Sequence, residues 1–230
     1  MANSATTKKS SKEKIRSLVA VAVFIALAYI CCVLFHFRVS FLSFDLKDAV
    51  MAIGAMFFGP IYGLAMVIVV SLIELLTISG TGIYGLVMNI CSSAPFVCVG
   101  SLIYSRSRNM KGALVGMVMS VISMVAVMMV ANLVITSNYM HITVGEVAAL
   151  IPTLLLPFNL TKAVFNASIV FLLYKPMSTA LKAAGFLKSE DSVGKGYKPN
   201  PLALILPVVV AAACLLFFFL YLNGSFTFGQ

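Results

Sequence analysis

The stretch "MAIGAMFFGPIYGLAMVIVVSLIELL", residues 51–76, reads either as one long apolar helix or as two shorter ones meeting at Gly59-Pro60. Proline removes a helix hydrogen bond and disfavours helical geometry at the residue before it, which favours two. The distribution of charge decides the matter. With two helices and a cytoplasmic N-terminus, the inner face collects Lys8, Lys9, Lys12, Lys14 and Arg16, then Arg106, Arg108 and Lys111, then Lys175, Lys182, Lys188, Lys195 and Lys198. Of the 16 Lys and Arg residues, only Arg38, Lys47 and Lys162 fall elsewhere. A single fused helix would send "SRSRNMK" and the lysine-rich tail outward, against the positive-inside rule. Two helices are therefore predicted. The first, over 46–58, is about 20 Å long at 1.5 Å per residue, so it must tilt little, thin the bilayer or be shielded by its neighbours.

A membrane is implied by composition. The 230 residues are 61% hydrophobic and 10% charged, where a soluble domain carries about a quarter charged residues. Apolar runs over 15–35, 46–58, 61–78, 83–104, 113–135, 147–174 and 202–222 are separated by polar loops, and helices are the default spanning element. The dyad alternation of a β-barrel is not visible. The first run is long and lacks an A-x-A-like site after it, so it reads as an uncleaved span. The net charge of +9 lies in loops, which points to topology and a lipid bilayer rather than to nucleic acid. Expected, then, is an all-α integral membrane protein of the cell membrane, multi-pass. It has a cytoplasmic basic N-terminus over 1–14, six helices within 15–180 and a cytoplasmic linker over 181–201. One additional transmembrane helix over 202–222 and a short tail over 223–230 follow, with the C-terminus outside. Cys31, Cys32, Cys91, Cys98 and Cys214 all lie in apolar segments, an odd count that supports neither a disulfide framework nor a zinc site.

Four ionisable residues fall within or at the outer ends of the bundle: Asp45, Asp48, Glu74 and Lys162. At mid-bilayer each costs about 2.5 to 3.5 kcal/mol on insertion scales, so each needs a partner, a ligand or a shallow position. "SFDLKDAV" reads as a helix start with Asp45 as N-cap and Asp48 in the first turn. Glu74, near a span end, either snorkels or serves a partner or ligand. In "PFNLTKAVFN", residues 157–166, Pro157 begins or kinks a helix. Asn159, Lys162 and Asn166 then share one face at i, i+3 and i+7. Snorkelling does not explain two amides beside the lysine, which points to a polar binding site. Asn89 and Asn132 add amides at membrane depth, as ligand groups or as links between helices. With Tyr62, Tyr84, Phe158 and Phe165 nearby, such a site suits a flat, mostly uncharged ligand with carbonyl, imide and hydroxyl groups, and suits phosphate poorly. No G-x-x-x-x-G-K-[ST] loop or H-E-x-x-H motif is present, and neither His36 nor His141 has a metal-site spacing, so no enzymatic activity is expected. Small-residue pairs at Ala22/Ala26, Gly59/Gly63 and Gly112/Gly116 allow close helix approach.

"FLSFDLKDAVMAIGAMFFGPIYGLAMVIVVSLIELL", "SRSRNMKGALVG" and "PFNLTKAVFNASIVFLLYK" together resemble the riboflavin-binding S component of energy-coupling factor (ECF) vitamin transporters, over roughly residues 15 to 180. The resemblance implies a six-helix S-component bundle, to which the apolar run over 202–222 adds a C-terminal helix. Riboflavin is its transported ligand rather than a cofactor. Asn159 and Lys162 are implied to bind the flavin, with Asn166, Asn132 and Asn89 as further candidates. The 39–45 loop, with Leu42, Phe44 and Asp45, is implied to close over it. Ala22 and Ala26 on the first helix become the docking face for an ECF transmembrane coupling subunit, through which two ATPase subunits act. The family usually ends after its sixth helix, and it has a glutamate near the start of the fourth where Leu86 stands here. An S component for another vitamin and a stand-alone secondary carrier, coupled through Glu74 and Lys162, are the competing readings.

Overall fold

The computed structural model describes residues 11–39, 42–186 and 201–222. Helix α1 (Ser11–Leu34) leads into a short antiparallel hairpin of β1 (Phe37–Val39) and β2 (Leu42–Phe44), in which Phe37 pairs with Phe44 and Val39 with Leu42. Next come α2 (Lys47–Phe58), α3 (Pro60–Thr77), α4 (Gly82–Arg106) and α5 (Met110–Ala131). A π-helical turn over Asn132–Thr136 joins α5 to α6 (Ser137–Met140). After it, α7 (Val144–Leu150) runs through a second π-helical turn, Ile151–Leu155, into α8 (Leu156–Ala183). The last element is α9 (Pro201–Leu222). Among the described residues, five helical segments are long and apolar enough to cross a membrane, and with the 12-residue α2 and the C-terminal apolar helix they make an all-α membrane bundle.

The break at Gly59-Pro60 is real and has a backbone cause. Gly59 sits at φ 111°, ψ 163°, a region only glycine occupies without strain, and Pro60 takes the first position of α3, where its missing N–H costs nothing. Of the three ways a 20 Å helix can be tolerated, the protein uses shielding. Every residue of α2 from Lys47 to Met56 is buried, and α1, α3, α4 and α8 all pack on it. Its core is Met51, Ile53 and Met56 against Phe24 of α1, Met66 and Val70 of α3 and Phe96 of α4.

Glycine and serine bring α4 and α5 into the closest approach. A Cβ on Gly116 would lie 2.9 Å from the carbonyl oxygen of Gly100, and the Ser120 hydroxyl donates to the Phe96 carbonyl at 2.7 Å. Pro95 interrupts the hydrogen bonding of α4 at the same level.

One expectation needs correction. Asp45 does not cap α2: the N-cap is Leu46, with no side-chain bond, because the Asp45 carboxylate is drawn to two lysines instead. Pro157 stands at the second position of α8, as expected of a proline that begins or kinks a helix, but the helical run extends further back. A capping box of Thr143 and Glu146 starts the chain of turns at Val144, and the π turn ending at Leu155 absorbs the hydrogen bond that Pro157 cannot make. Lys162 therefore lies near the middle of a 40-residue helical run, Val144–Ala183.

Candidate functional site

A charge can stay in a low-dielectric interior only if it is paired and hydrogen-bonded. Five ionisable side chains solve that problem jointly. From α8, Lys162 places Nζ 3.0 Å from Asp45 Oδ2, 3.2 Å from the Ser43 carbonyl oxygen and 3.8 Å from Asp48 Oδ2. Lys47 lies 3.6 Å from the same Asp45 oxygen and donates to both oxygens of Glu74 at 2.7 Å. Glu74 also accepts from the Cys32 thiol at 3.0 Å and from Asn89 Nδ2. The result is an alternating chain, Lys162–Asp45–Lys47–Glu74–Asn89, that ties α8 to α4 through the start of α2 and the end of α3. Asp48 stands beside it, held by the Ser93 hydroxyl. Lys162, Lys47 and Asp45 expose 3%, 1% and 0% of their surface, so none of them snorkels. Nor does Glu74, which is equally buried.

Asn166 completes the frame. Its Oδ1 accepts from the Ala49 backbone N–H at 2.9 Å, and its Nδ2 donates to the carbonyls of Asp45 and Lys162 at 3.0 Å each. One of the orphan amides in the first turn of α2 is thus capped from α8 across the bundle, and not from its own N-cap. This bond fixes the height of α2 against Lys162.

Above the charge chain lies a cavity of about 400 Å³. Its polar wall is Lys162, Asn159, Glu74, Asn89, Ser92 and Thr136. Leu42, Ser43 and His36 bring the hairpin to it, and residues 78–81 bring the α3–α4 turn. Tyr84 and Tyr139, with ring centroids 5.6 Å apart, and Phe158 supply aromatic surface. That size and mixture fit one small organic molecule with a few directed polar groups.

The sequence-derived candidates separate into two groups. Asn159, Lys162, Asn89 and Leu42 line the cavity. Phe44, Asp45, Asn132 and Asn166 stand one layer behind. Phe44 packs edge-on to Phe158 at 6.2 Å and against Phe165 at 5.2 Å, securing the hairpin to α8. Asn132 accepts from the Thr136 hydroxyl at 2.9 Å and donates to the Met128 carbonyl at 2.7 Å. Ala22 and Ala26 are exposed on the outer face of α1, whose inner face is Ala20, Val21, Phe24 and Ala28. Among the aromatics, Tyr84 and Phe158 reach the cavity, whereas Tyr62 and Phe165 serve the packed core. Lys47, Thr136 and Tyr139 were not among the sequence candidates. Lys47 lies at the start of the 46–58 helix, where a cation gives no sign of an inward role, and the apolar run ends at 135 in sequence, before the π turn carries the helix on to Tyr139.

Comparison with known proteins agrees with this architecture. Residues 16–174 match the family described as ECF transporter, substrate-specific component. The riboflavin transporter RibU of Staphylococcus aureus (strain TCH60) is 23% identical over 184 residues, spanning 76% of this chain and 97% of that protein. A solved S component of a bacterial ECF transporter has the same fold, with a TM-score of 0.63 at 23% identity over 74% of this chain and 99% of the other. Helix α9 lies beyond residues 16–174, the part that matches the family.

Proposed function

The chain belongs to the family of ECF transporter substrate-specific components, and on that premise we propose that it captures riboflavin from outside the cell for ATP-driven uptake. As a member of that family it is a multi-pass membrane subunit that captures substrate and is not an enzyme. A transmembrane coupling subunit and ATPases belong to the architecture of such transporters. In the proposal the coupling subunit docks on the Ala22/Ala26 face of α1, and two ATPases supply the energy. The basic N-terminus over 1–14 and the 181–201 linker face the cytoplasm, α9 is a seventh span and the C-terminus is outside. The vitamin is held by Asn159 and Lys162, with Asn89 on the facing wall and Leu42 of the hairpin above. Asn166, Asn132, Asp45 and Phe44 keep those groups in place.

The cavity carries the reading. It joins amides and one cation to a tyrosine pair and Phe158, as a ring system with carbonyl, imide and hydroxyl groups requires. The likeness to RibU, whose name states its solute, points the same way. A phosphorylated ligand fits poorly, because Lys162 is the one lysine among the described lining residues and three carboxylates surround it and Lys47.

The test is a thermal-unfolding panel on the purified protein with riboflavin, thiamine, biotin and folate. A ligand at a hundred times its Kd adds about 2.7 kcal/mol to the folded state. Riboflavin alone is expected to raise the midpoint. A rise with another vitamin and none with riboflavin would identify an S component of different specificity.

A further inference from the structure

The cavity holds three polar groups whose donor and acceptor ends are fixed by what lies behind them. A carboxylate only accepts, so Asn89 must turn its NH2 toward Glu74, which leaves the cavity its carbonyl oxygen and the second amide N–H. Asn159 donates Nδ2 to the Leu155 carbonyl at 2.7 Å, which likewise leaves Oδ1 and one N–H. Asn132 donates to the Met128 carbonyl, so its Oδ1 faces Thr136, and the Thr136 hydroxyl spends its proton there. Thr136 then offers the cavity oxygen lone pairs only. None of these orientations is free to reverse, since each backing group is a carbonyl or carboxylate, able to accept but not to donate. The donors beside these fixed acceptors are the second N–H of the two asparagines and a few others. Lys162 has three protons, two of which are directed at Asp45 and Ser43. The hydroxyls of Ser92, Tyr84 and Tyr139 can adapt.

From this arrangement we infer that the polar wall formed by Asn89, Thr136 and Asn159 is an acceptor wall that selects ligands by their hydrogen-bond donors, and that Glu74 sets the polarity of Asn89. The inference rests on the reading that this cavity takes the transported vitamin, and it specifies which atoms of that vitamin the three acceptors read: the imide N–H and the hydroxyls of the side chain. Glu74 acts as a positioning residue. Lys47 and Cys32 hold its carboxylate in place, and it holds the amide. A site built to bond a donor rejects an analogue that lacks it far more strongly than an apolar pocket rejects a missing methylene, because the acceptor is left unpaired.

The experiment measures Kd for riboflavin, for riboflavin methylated at the imide nitrogen, and for the ring with a methyl group in place of the ribityl chain. Wild type is expected to prefer riboflavin to each analogue by tenfold or more. In Glu74→Gln the backing group gains a donor, Asn89 can turn over, and at least one of the two preferences falls about tenfold. Asn89→Leu leaves the Glu74–Lys47 pair intact and lowers the same preference, so the inference stays testable if Glu74→Gln folds poorly. A general loosening of the bundle would weaken all three ligands alike and leave the ratios unchanged. Riboflavin binding with wild-type ratios in both variants overturns the acceptor wall but not the vitamin reading. No flavin binding by wild type overturns the vitamin reading and this inference with it.

Discussion

Lys162→Met is the most informative single change to the charge chain. It keeps the volume and removes the cation. Asp45 then loses its 3.0 Å partner and retains Lys47, at 3.6 Å, while Asp48 loses the cation 3.8 Å away and retains the Ser93 hydroxyl. The Ser43 carbonyl loses a donor as well. Removing one member of a buried pair costs about 3–5 kcal/mol, chiefly through the charge left behind. Because Lys47 still faces Asp45, the low end, about 3 kcal/mol, is expected. The remedy follows from the same cause: Asp45→Asn in the Lys162→Met background removes the stranded charge and should recover about 2 kcal/mol, although Asp45→Asn alone destabilises. Unfolding in one detergent without ligand, on all four members of the cycle, gives the coupling directly. A single-variant cost below about 1 kcal/mol, with the two changes additive within about 0.5 kcal/mol, would refute the argument that these charges depend on one another.

Three further outcomes are expected. Gly59→Ala puts a side chain at φ 111° and should cost about 1–3 kcal/mol in the midpoint of unfolding, since no L-residue rests easily there. Gly116→Val drives its first carbon to 2.9 Å from the Gly100 carbonyl oxygen and forces α4 and α5 apart, a loss of about 1–3 kcal/mol that a thermal melt will register. Ala22→Trp and Ala26→Trp lie on an exposed face, so ligand binding by the isolated subunit should be unchanged while uptake by the assembled transporter is lost; unimpaired uptake would remove this face from the docking proposal.

The helical outline was legible because bilayer physics is severe. Apolar runs, one Gly-Pro break and the placement of lysine and arginine were enough to separate α2 from α3. The asparagine-lysine stripe on α8 was legible for a related reason: amides and a cation at one angular position in an apolar helix have few innocent explanations. What could not be read was partnership. Whether Glu74 snorkels or pairs depends on Lys47 lying across the bundle, 27 positions away in sequence and 2.7 Å in space. Asn166 looked like a ligand group because its helix face is the right one; that its amide caps α2 depends on Ala49, a residue with no polar side chain to signal it. The π turns were hidden too, because prolines at 152 and 157 mark a disturbance without saying that the helix continues through it. The hairpin of residues 37–44 is two three-residue strands, too short for any periodicity to show.

Titrating riboflavin fluorescence with the purified protein tests most directly the proposal that the cavity beside Lys162 and Asn159 binds riboflavin. Saturable quenching at one flavin per chain is expected, weakened at least tenfold by Asn159→Leu. Flavin emission that stays constant across the titration with folded wild-type protein would contradict it.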